Sequence, residues 1–379
     1  MGIFNLPALV LLVLVMIYLR KRFGLPGKVV KRVMICVGVL FAIYFISVLT
    51  GSPFVYVYHE MPIYDNWCWG PKNEKGEYTL LHTKLRWRKK WLKGLIYSRE
   101  VEKKSFPEVL QINQINIDGS NNRKLFTSEK MKFSLEDYCH KTNEIVGRKK
   151  GNMRVAKFDG SDKRCILSET PEERIRNVRF SPDGKLIAYI RCTRKEESHL
   201  WVVDVEGEWR KRLCRTQVLA WHPSGKYLAT EREIVDLEGN SVCQFPVGIS
   251  TNSFSPDGGY LVGYHRMLRI KREIKDGKEV WQAEKVPAAP GAGRCSKWSP
   301  CGRYITQECG EGIRLVDLLI GTTEVLLSTV RQRHHPGYNE WVRKELADFR
   351  TYIKRKDPQW WNNMVNKFPE LNLGYVKER

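Results

Sequence analysis

The sequence predicts an all-β fold: a β-propeller of about six four-stranded blades, with two N-terminal transmembrane helices and a short helical C-terminal tail. Three observations predict it. One short segment, FSPDGKLIAYI at Phe180, returns in variant form at Trp221, Phe254 and Trp298. Two apolar runs near the N-terminus carry no charge, and aromatic residues near the C-terminus recur at helical spacing.

The repeated segment combines a tight turn with a buried strand. In Ser-Pro-Asp-Gly, Pro182 presets the backbone, Asp183 tolerates the third position, and Gly184 takes the left-handed conformation that closes a bulged hairpin. The strand that follows is apolar on both faces, with Leu186, Ala188 and Ile190 on one face and Ile187 and Tyr189 on the other. Such a strand is predicted to pack between two neighbouring sheets.

A second hairpin completes each repeat. Strand-like segments end at Gly207, Gly239 and Gly321, and upstream the same hairpin carries a D-G-S turn at Asp118 and Asp159. Two hairpins give four strands, and repeat spacings of 41, 33 and 44 residues fit one propeller blade each. A β-sandwich is the alternative, but sandwiches rarely repeat both turns in register. The predicted blades centre near residues 85–128, 130–169, 175–214, 216–246, 248–287 and 293–328, with the inner strands of the first drawn from region 53–105.

The pattern aromatic-S-P-D-G-K-x-[LI]-A-[YF], followed by a strand ending in D-G-S, resembles the TolB-type, WD-like β-propeller repeat. Residues 180–190 and 254–264 match its first half, and the D-G-S turns match its second half. Two copies are variants, with His222 and Ser224 in one and Cys301 in the other. The resemblance covers roughly residues 105–328 and implies a TolB-like propeller over residues 53–330. The α/β domain that precedes the propeller of TolB is replaced here by a membrane hairpin, so only the module carries over.

Residues 1–52 are predicted to form this transmembrane hairpin. Segments 3–19 and 33–50 contain no charged residue, and helices of these lengths reach about 26–27 Å, the short end of what spans a bilayer. The loop 20–32 between them holds six Lys/Arg, which the positive-inside rule places in the cytoplasm. A signal peptide followed by one anchor is the alternative, but no basic region precedes the first run. The propeller is therefore expected on the extracytoplasmic side of the inner or plasma membrane. Nine cysteines after residue 50 without a pairing scheme favour a reducing compartment instead.

The net charge of +22 implies an anionic neighbour. Residues 83–98 interleave six Lys/Arg with two tryptophans, and we take Arg86, Trp87, Lys90 and Trp91 as candidate binding residues. The segment has three interpretations: an edge of the first blade, a surface for anionic lipid, or a site for single-stranded nucleic acid. An outward-facing domain disfavours nucleic acid. The expected partners are the membrane itself and a protein or anionic envelope polymer.

Residues 331–379 are predicted to be a helical, aromatic-rich extension. Apolar residues recur at helical spacing over 338–353, Pro358 ends that helix, and a second stripe follows in WWNNMVNKF. One interpretation is that both helices pack against the propeller. The other is a docking surface for a partner or membrane, with Trp360 and Trp361 as its candidate binding residues.

Catalytic motifs are missing from the sequence. It has no G-x-S-x-G, H-E-x-x-H, P-loop or complete G-x-G-x-x-G, and no C-x-x-C pair. We therefore predict a non-catalytic binding or scaffolding module in the cell envelope, with no catalytic, cofactor or metal site. The alternative is a propeller lyase that acts on acidic oligosaccharides, which some S-P-D-G propellers resemble. That alternative needs histidines on the innermost strands at one channel mouth, whereas turns and outer strands favour the binding module.

Cysteine labelling in intact cells tests the predicted topology. In a chain freed of reactive native thiols, a membrane-impermeant reagent should label Ser52→Cys and should leave Gly27→Cys unlabelled. The reverse pattern would place the propeller in the cytoplasm and overturn the argument from loop charge.

Overall fold

Six antiparallel sheets follow one another along the described part of the computed structural model. The structure describes residues 55–371, with gaps at 94–97, 104–109, 128–133, 150–151, 169, 171–172, 194–196, 265, 288–289, 291–293, 310–311 and 329–337, and the isolated positions 18, 21, 22 and 28. The chain forms two compact units. One consists of Met1–His59 and Arg88–Ser105, and the other of Glu60–Trp87 and Phe106–Arg379.

The larger unit is a six-blade propeller in which each blade has four strands. Their bounds, in blade order, are β1 (Val55–Lys72), β2 (Tyr78–Lys93), β4 (Leu110–Asn116) and β5 (Arg123–Thr127); β6 (Ser134–Cys139), β7 (Glu144–Lys149), β8 (Asn152–Lys157) and β9 (Arg164–Leu167); β10 (Glu173–Phe180), β11 (Leu186–Thr193), β12 (Ser198–Asp204) and β13 (Arg210–Arg215); β14 (Ala220–Trp221), β15 (Tyr227–Ala229), β16 (Glu233–Asp236) and β17 (Ser241–Gln244); β18 (Thr251–Phe254), β19 (Tyr260–Gly263), β20 (Arg266–Lys275) and β21 (Lys278–Lys285); β22 (Arg294–Trp298), β23 (Tyr304–Cys309), β24 (Gly312–Asp317) and β25 (Thr322–Ser328). In blades two to six the spatial order of the strands follows the chain.

The Ser-Pro-Asp-Gly turn adopts the predicted geometry. Gly184 has φ of +76°, a left-handed conformation that glycine enters without steric cost. The Ser181 hydroxyl donates to the Asp183 carboxylate at 2.6 Å and accepts from the amide of Leu186 at 2.9 Å. In blade four His222 stands where the serine would be, and its ring lies 2.9 Å from the Ser224 hydroxyl. The variant copies therefore keep the turn while changing its hydrogen bonds.

Apolar clusters between successive blades hold the ring together. Ile187 and Tyr189 lie in the cluster between blades two and three, whereas Ala188 and Ile190 lie in the cluster between blades three and four. This confirms that a single strand buries both of its faces. Equivalent clusters join the other neighbouring blades, including blades one and six.

Blades one and six meet without sharing a strand. Blade one takes its strands from residues 55–127 and blade six from residues 294–328. Their contact is made by side chains. The indole nitrogen of Trp67 donates to the Thr306 hydroxyl at 3.1 Å, that of Trp69 donates to the Lys297 carbonyl at 3.4 Å, and the Lys297 ammonium donates to the Trp67 carbonyl.

The first blade begins earlier than the predicted centre at 85–128. Its innermost strand is β1, and the turn from β1 to β2 is Asn73-Glu-Lys-Gly76 instead of Ser-Pro-Asp-Gly. The Asn73 side chain accepts from the amides of Lys75 and Glu77, both at 3.0 Å, and Gly76 has φ of +78°. This turn reverses the chain between β1 and β2 in place of Ser-Pro-Asp-Gly. The repeat pattern is therefore missing from the sequence of this blade.

Two helices follow the last blade: α1 (Tyr338–Lys356) and α2 (Pro358–Asn366), with a short 3₁₀ turn at Pro369–Leu371. Both pack against blades five and six. Their buried apolar residues join a cluster with residues of those blades, among them Tyr260, Trp298, Leu318, Val342, Leu346, Phe349, Ile353, Trp360 and Met364. The tail is thus folded onto the propeller.

Asp357, between the two helices, ties them to blade five. Its carboxylate accepts from the Tyr260 hydroxyl at 2.9 Å and pairs with Arg269 at 2.7 Å. It also caps α2, accepting from the amide of Trp360 at 3.3 Å. One side chain therefore stabilises a helix end and anchors it.

Within the smaller unit, β2 pairs with β3 (Ser98–Lys103) in antiparallel register, from Lys89 opposite Lys103 to Lys93 opposite Ser98. Apart from residue 18, the predicted membrane segments 3–19 and 33–50 lie outside the described residues. Within the described part of the chain, the helices fall short of the length and apolarity needed to cross a bilayer.

Substituting Asp357→Ala should lower the free energy of unfolding by about 2 kcal/mol, because it removes a cap and leaves the buried Tyr260 hydroxyl without its acceptor. Urea unfolding followed by tryptophan fluorescence measures the change. Asp348→Ala, on the exposed side of α1, is the matched control and should change stability little. Equal stability of both variants would contradict an anchoring role for Asp357.

Candidate functional site

The innermost strands of the blades converge on one cavity. The first strands of successive blades contact one another around the ring. Each contributes a pair of adjacent residues to a cavity of about 250 Å³, and the pairs are Cys68-Trp69, Asp137-Tyr138, Arg179-Phe180, Ala220-Trp221, Ser253-Phe254 and Lys297-Trp298. Pro182, Pro300 and His140 also line it, which places the cavity at the end of the channel where the Ser-Pro-Asp-Gly turns lie.

β-Bulges present these residues to the cavity. In four blades the register between the first and second strands shifts just before the aromatic residue: between Leu135 and Asp137, Arg176 and Arg179, Thr251 and Ser253, and Arg294 and Lys297. A bulge inserts an extra residue and redirects the side chains near it. In these four blades the residue before the aromatic, which is Asp137, Arg179, Ser253 or Lys297, lines the channel cavity.

Two cations and one carboxylate stand among these positions. The Arg179 guanidinium donates to the carbonyls of Glu136 at 2.7 Å and Val178 at 2.9 Å. The Asp137 carboxylate accepts from the amide of Phe180 at 3.1 Å. Lys297 reaches the Trp67 carbonyl and lies 5.9 Å from the centre of the Trp67 ring. The cavity therefore carries an excess of positive charge.

Glu136 is shared between two arginines and offsets only part of that excess. Its side chain is 3% exposed and pairs with Arg148 at 2.5 Å, while Arg179 is 3.9 Å away. Arg148 also donates to the Ile175 carbonyl at 2.7 Å. The Glu136–Arg148 pair is thus a neutral structural link between blades two and three.

Burial shifts the pKa values of Lys297, Asp137 and Cys68, which line the cavity. Desolvation, reinforced by Arg179, lowers the pKa of Lys297 to about 8, and desolvation raises the pKa of Asp137 against the pull of Arg179 and Lys297. Burial also raises the pKa of Cys68 to about 12, so this thiol stays protonated and unreactive at neutral pH. At neutral pH Lys297 is still mostly protonated.

His140 lies at the cavity wall as a neutral ring. Burial lowers its pKa to about 4. The imidazole packs edge-on against Tyr78 at 5.4 Å and Tyr138 at 4.8 Å between ring centres. Together with the six aromatic residues of the repeat, the His140 ring lines the cavity with flat apolar surfaces. The charged side chains of Asp137, Arg179 and Lys297 line the same cavity.

The sequence-predicted binding residues lie away from this cavity. Arg86, Trp87, Lys90 and Trp91 belong to β2, and their side chains lie outside the described residues. Trp360 and Trp361 are on α2, which the structure does describe. The binding role of all six residues stays a prediction.

The two tryptophans of α2 differ in environment. Trp360 is only 7% exposed and packs edge-on against Tyr260 at 5.3 Å and Trp298 at 6.3 Å. Trp361 is half-buried, with Arg350 and Lys354 over its ring at 5.6 and 4.9 Å. Trp298 lines the cavity, so Trp360 supports the cavity wall from behind.

Sequence analysis missed Asp137, Arg179 and Lys297. A signal for them existed: in the four recognised repeats the residue before the aromatic is Arg179, Ala220, Ser253 or Lys297. A polar residue directly before the buried aromatic of the repeat is the signal for a side chain that faces the channel. Among the described residues, His, Cys, Asp and Glu side chains do not form a group of three or more that could hold a metal ion.

No protein-family profile and no curated protein sequence matches the chain. Solved structures with a similar fold include a TolB from Agrobacterium tumefaciens, with 17% identity, 57% of this chain and 88% of that chain covered, and a TM-score of 0.44. An oligogalacturonate lyase from Vibrio parahaemolyticus has 13% identity, coverage of 61% and 68%, and a TM-score of 0.36. The propeller domain of the trilobed protease from Pyrococcus furiosus has 13% identity, coverage of 73% and 98%, and a TM-score of 0.39. The similarity is one of fold.

The lowered pKa of Lys297 predicts a specific dependence of stability on pH. Between pH 8 and 10.5 the folded protein has lost the Lys297 proton while the unfolded chain retains it. The contribution of Lys297 to the free energy of unfolding therefore rises with pH across this window. The free energy of unfolding of the wild type relative to Lys297→Met should increase across this window by on the order of 1 kcal/mol, because the Lys297 side chain is partly exposed and solvent screens its charge. Urea unfolding of both proteins at the two ends of the window measures it. Lys226→Met, at an exposed turn, is the control, and a constant difference for Lys297→Met would contradict the lowered pKa.

Proposed function

We propose that this protein is a membrane-anchored, non-catalytic β-propeller that acts as a binding or scaffolding module in the cell envelope. We further propose that an anionic group of its partner enters the cavity at the Ser-Pro-Asp-Gly end of the channel. The observation that carries this proposal is the pair of cations Arg179 and Lys297 in the lining of the cavity, where Asp137 is the opposing carboxylate and Glu136 is shared between Arg179 and Arg148.

The charges favour a single anionic group. Asp137 already accepts a hydrogen bond from the amide of Phe180, and Lys297 has one acceptor, the Trp67 carbonyl, among the described residues. An ammonium has three donors, so two remain for a ligand. Because burial makes the charged form of Lys297 costly, a bound carboxylate would offset that cost.

The dimensions favour a small group with a flat surface. A cavity of about 250 Å³ lies below the usual range for drug-sized ligands, about 300–1,000 Å³. It accommodates one side chain, a chain terminus or one sugar ring. Aromatic walls suit stacking against such a group, while the cations in the lining fix its orientation.

Membrane attachment is supported by the sequence of the smaller unit. Its two segments, residues 1–59 and 88–105, contain thirteen Lys/Arg and two Glu. Charge of this kind beside predicted membrane helices attracts anionic headgroups, each basic residue contributing about 1 kcal/mol near the surface. The candidate residues Arg86, Trp87, Lys90 and Trp91 lie in and beside this basic sequence, and the proposal places the propeller on the extracytoplasmic side.

The second candidate function is a lyase that acts on acidic oligosaccharides. Arg179 and Lys297 could bind a uronate carboxylate, and neutral His140 lines the cavity and could accept a proton. Three other described histidines favour the binding module, because His82 lies on β2, His199 on β12 and His222 in a turn, whereas His59 lies on β1, the innermost strand of blade one. His265 lies outside the described residues.

Titration of the detergent-solubilised full chain with oligogalacturonate and with its neutral methyl ester tests the proposal. Trp69, Trp221 and Trp298 line the cavity and report binding by fluorescence. The acid form should bind, the ester should not, and Lys297→Met should weaken binding about tenfold. Binding should also weaken as the pH rises through about 8, where Lys297 loses its proton.

The controls separate the two candidate functions. Lys226→Met, an exposed lysine at the blade-four turn, should bind as the wild type does. Equal binding of acid and ester, or binding unaffected by Lys297→Met, would refute the anion site. Appearance of the unsaturated uronate product, followed by its ultraviolet absorbance, would establish the lyase instead.

A further inference from the structure

Blade four is cut short at the end of the propeller opposite the Ser-Pro-Asp-Gly turns. Its strands have 2, 3, 4 and 4 residues, whereas those of blade three have 8, 8, 7 and 6. Trp221 and Phe180 occupy the same position before their turns, so the missing residues lie at the opposite end. The shorter repeat of 33 residues between Trp221 and Phe254 is the sequence counterpart of this truncation.

The truncation leaves a cavity of about 570 Å³, which we call the notch. Its floor is the blade-four turn Thr230–Glu233. One wall is Ser198 with residues 215–217, which lead from blade three to blade four, and the other is residues 248–250, which lead from blade four to blade five. The notch therefore lies above blade four, at the other end of the propeller from the channel cavity.

Hydrogen bonds fix the floor of the notch. The Glu231 carboxylate accepts from the Thr216 hydroxyl and from the amide of Gln217 at 2.9 Å. The carbonyls of Glu231 and Arg232 accept from the amides of Ile249 at 2.8 Å and Phe245 at 2.7 Å. A floor held in place before binding reduces the ordering cost of a ligand.

Arginines outnumber carboxylates around the notch, where Arg215, Arg232 and Arg266 stand against Glu231 and Glu233. Arg215 and Arg232 are exposed, and neither is paired with a carboxylate in the described part of the chain. Arg266, also exposed, donates to the Gly248 carbonyl at the wall. Glu231 is held by its own hydrogen bonds and Glu233 also lines the notch, so the groups that favour an acidic ligand are the guanidinium donors, which match carboxylates bidentately.

We propose that the notch binds an acidic peptide segment of a partner protein. Its volume lies within the usual range for ligand sites, about 300–1,000 Å³. Glu231 and Glu233 among the arginines disfavour a continuous polyanion, whereas a peptide presents separate carboxylates together with backbone donors and acceptors. The notch would give the propeller a second binding surface, independent of the anion site at the other end.

Selection from a random octapeptide library displayed on phage tests this proposal with the full chain in detergent. Peptides recovered by the wild type should be enriched about threefold in Asp and Glu, and R215E/R232E should reduce this enrichment to the input level. Both arginines are exposed, so the substitutions leave the core intact, which thermal unfolding verifies. K226E makes the same charge change at the opposite end of blade four and should retain the enrichment.

The outcomes separate the notch from the channel cavity. Enrichment that survives R215E/R232E but disappears in Lys297→Met would assign the acidic peptides to the channel and overturn the notch proposal. Selection of peptides without acidic enrichment would overturn it as well. Displacement of the peptides by oligothymidylate, dependent on both arginines, would assign the notch to a polyanion instead.

Discussion

Closure of the ring between blades one and six is the contact on which the rest of the structure depends. Each other neighbouring pair of blades is also joined by the chain, but these two come from opposite ends of the propeller sequence and share no strand. Their cohesion comes from buried apolar side chains such as Leu80 and Ile313, and from Trp67, Trp69 and Lys297. Lys297 has two roles as a result. Its aliphatic stem and ammonium help to join the blades, and the same ammonium supplies charge to the channel cavity.

The same repeat builds a uniform scaffold and a varied site. Aromatic residues before each turn pack between blades, and their neighbours on the channel side differ from blade to blade: Cys68, Asp137, Arg179, Ala220, Ser253 and Lys297. Packing between blades constrains the aromatic residues, because a core tolerates little change in side-chain volume. The residues that line the channel are not held to one volume, so residues of different chemistry occur at those positions. A propeller can therefore change its ligand without changing its fold.

The two ends of the propeller differ in structure. At the turn end, α1 and α2 cover part of blades five and six, and Trp360 backs the cavity wall at Trp298. The helical pattern predicted these helices, and their apolar stripe left packing on the propeller and docking to a partner or membrane as two interpretations. Their position on blades five and six did not follow from that pattern, because an apolar stripe specifies burial and not the surface that provides it. At the opposite end, the short strands of blade four open the notch.

The sequence by itself determined the repeated turns and the strands beside them, and it predicted about six blades. Pro182 and Gly184 restrict the backbone over only a few residues, so the turn that they form can be predicted from the sequence. The sequence did not predict the turn at Asn73–Gly76, where backbone amides donate to the Asn73 side chain and the chain reverses as it does in the other blades. Only the tertiary structure decided that Arg179 and Lys297 share a cavity, and that Arg215 and Arg232 face one notch. Residues far apart along the chain become neighbours only when the blades close into a ring, and closure depends on packing summed over the whole propeller.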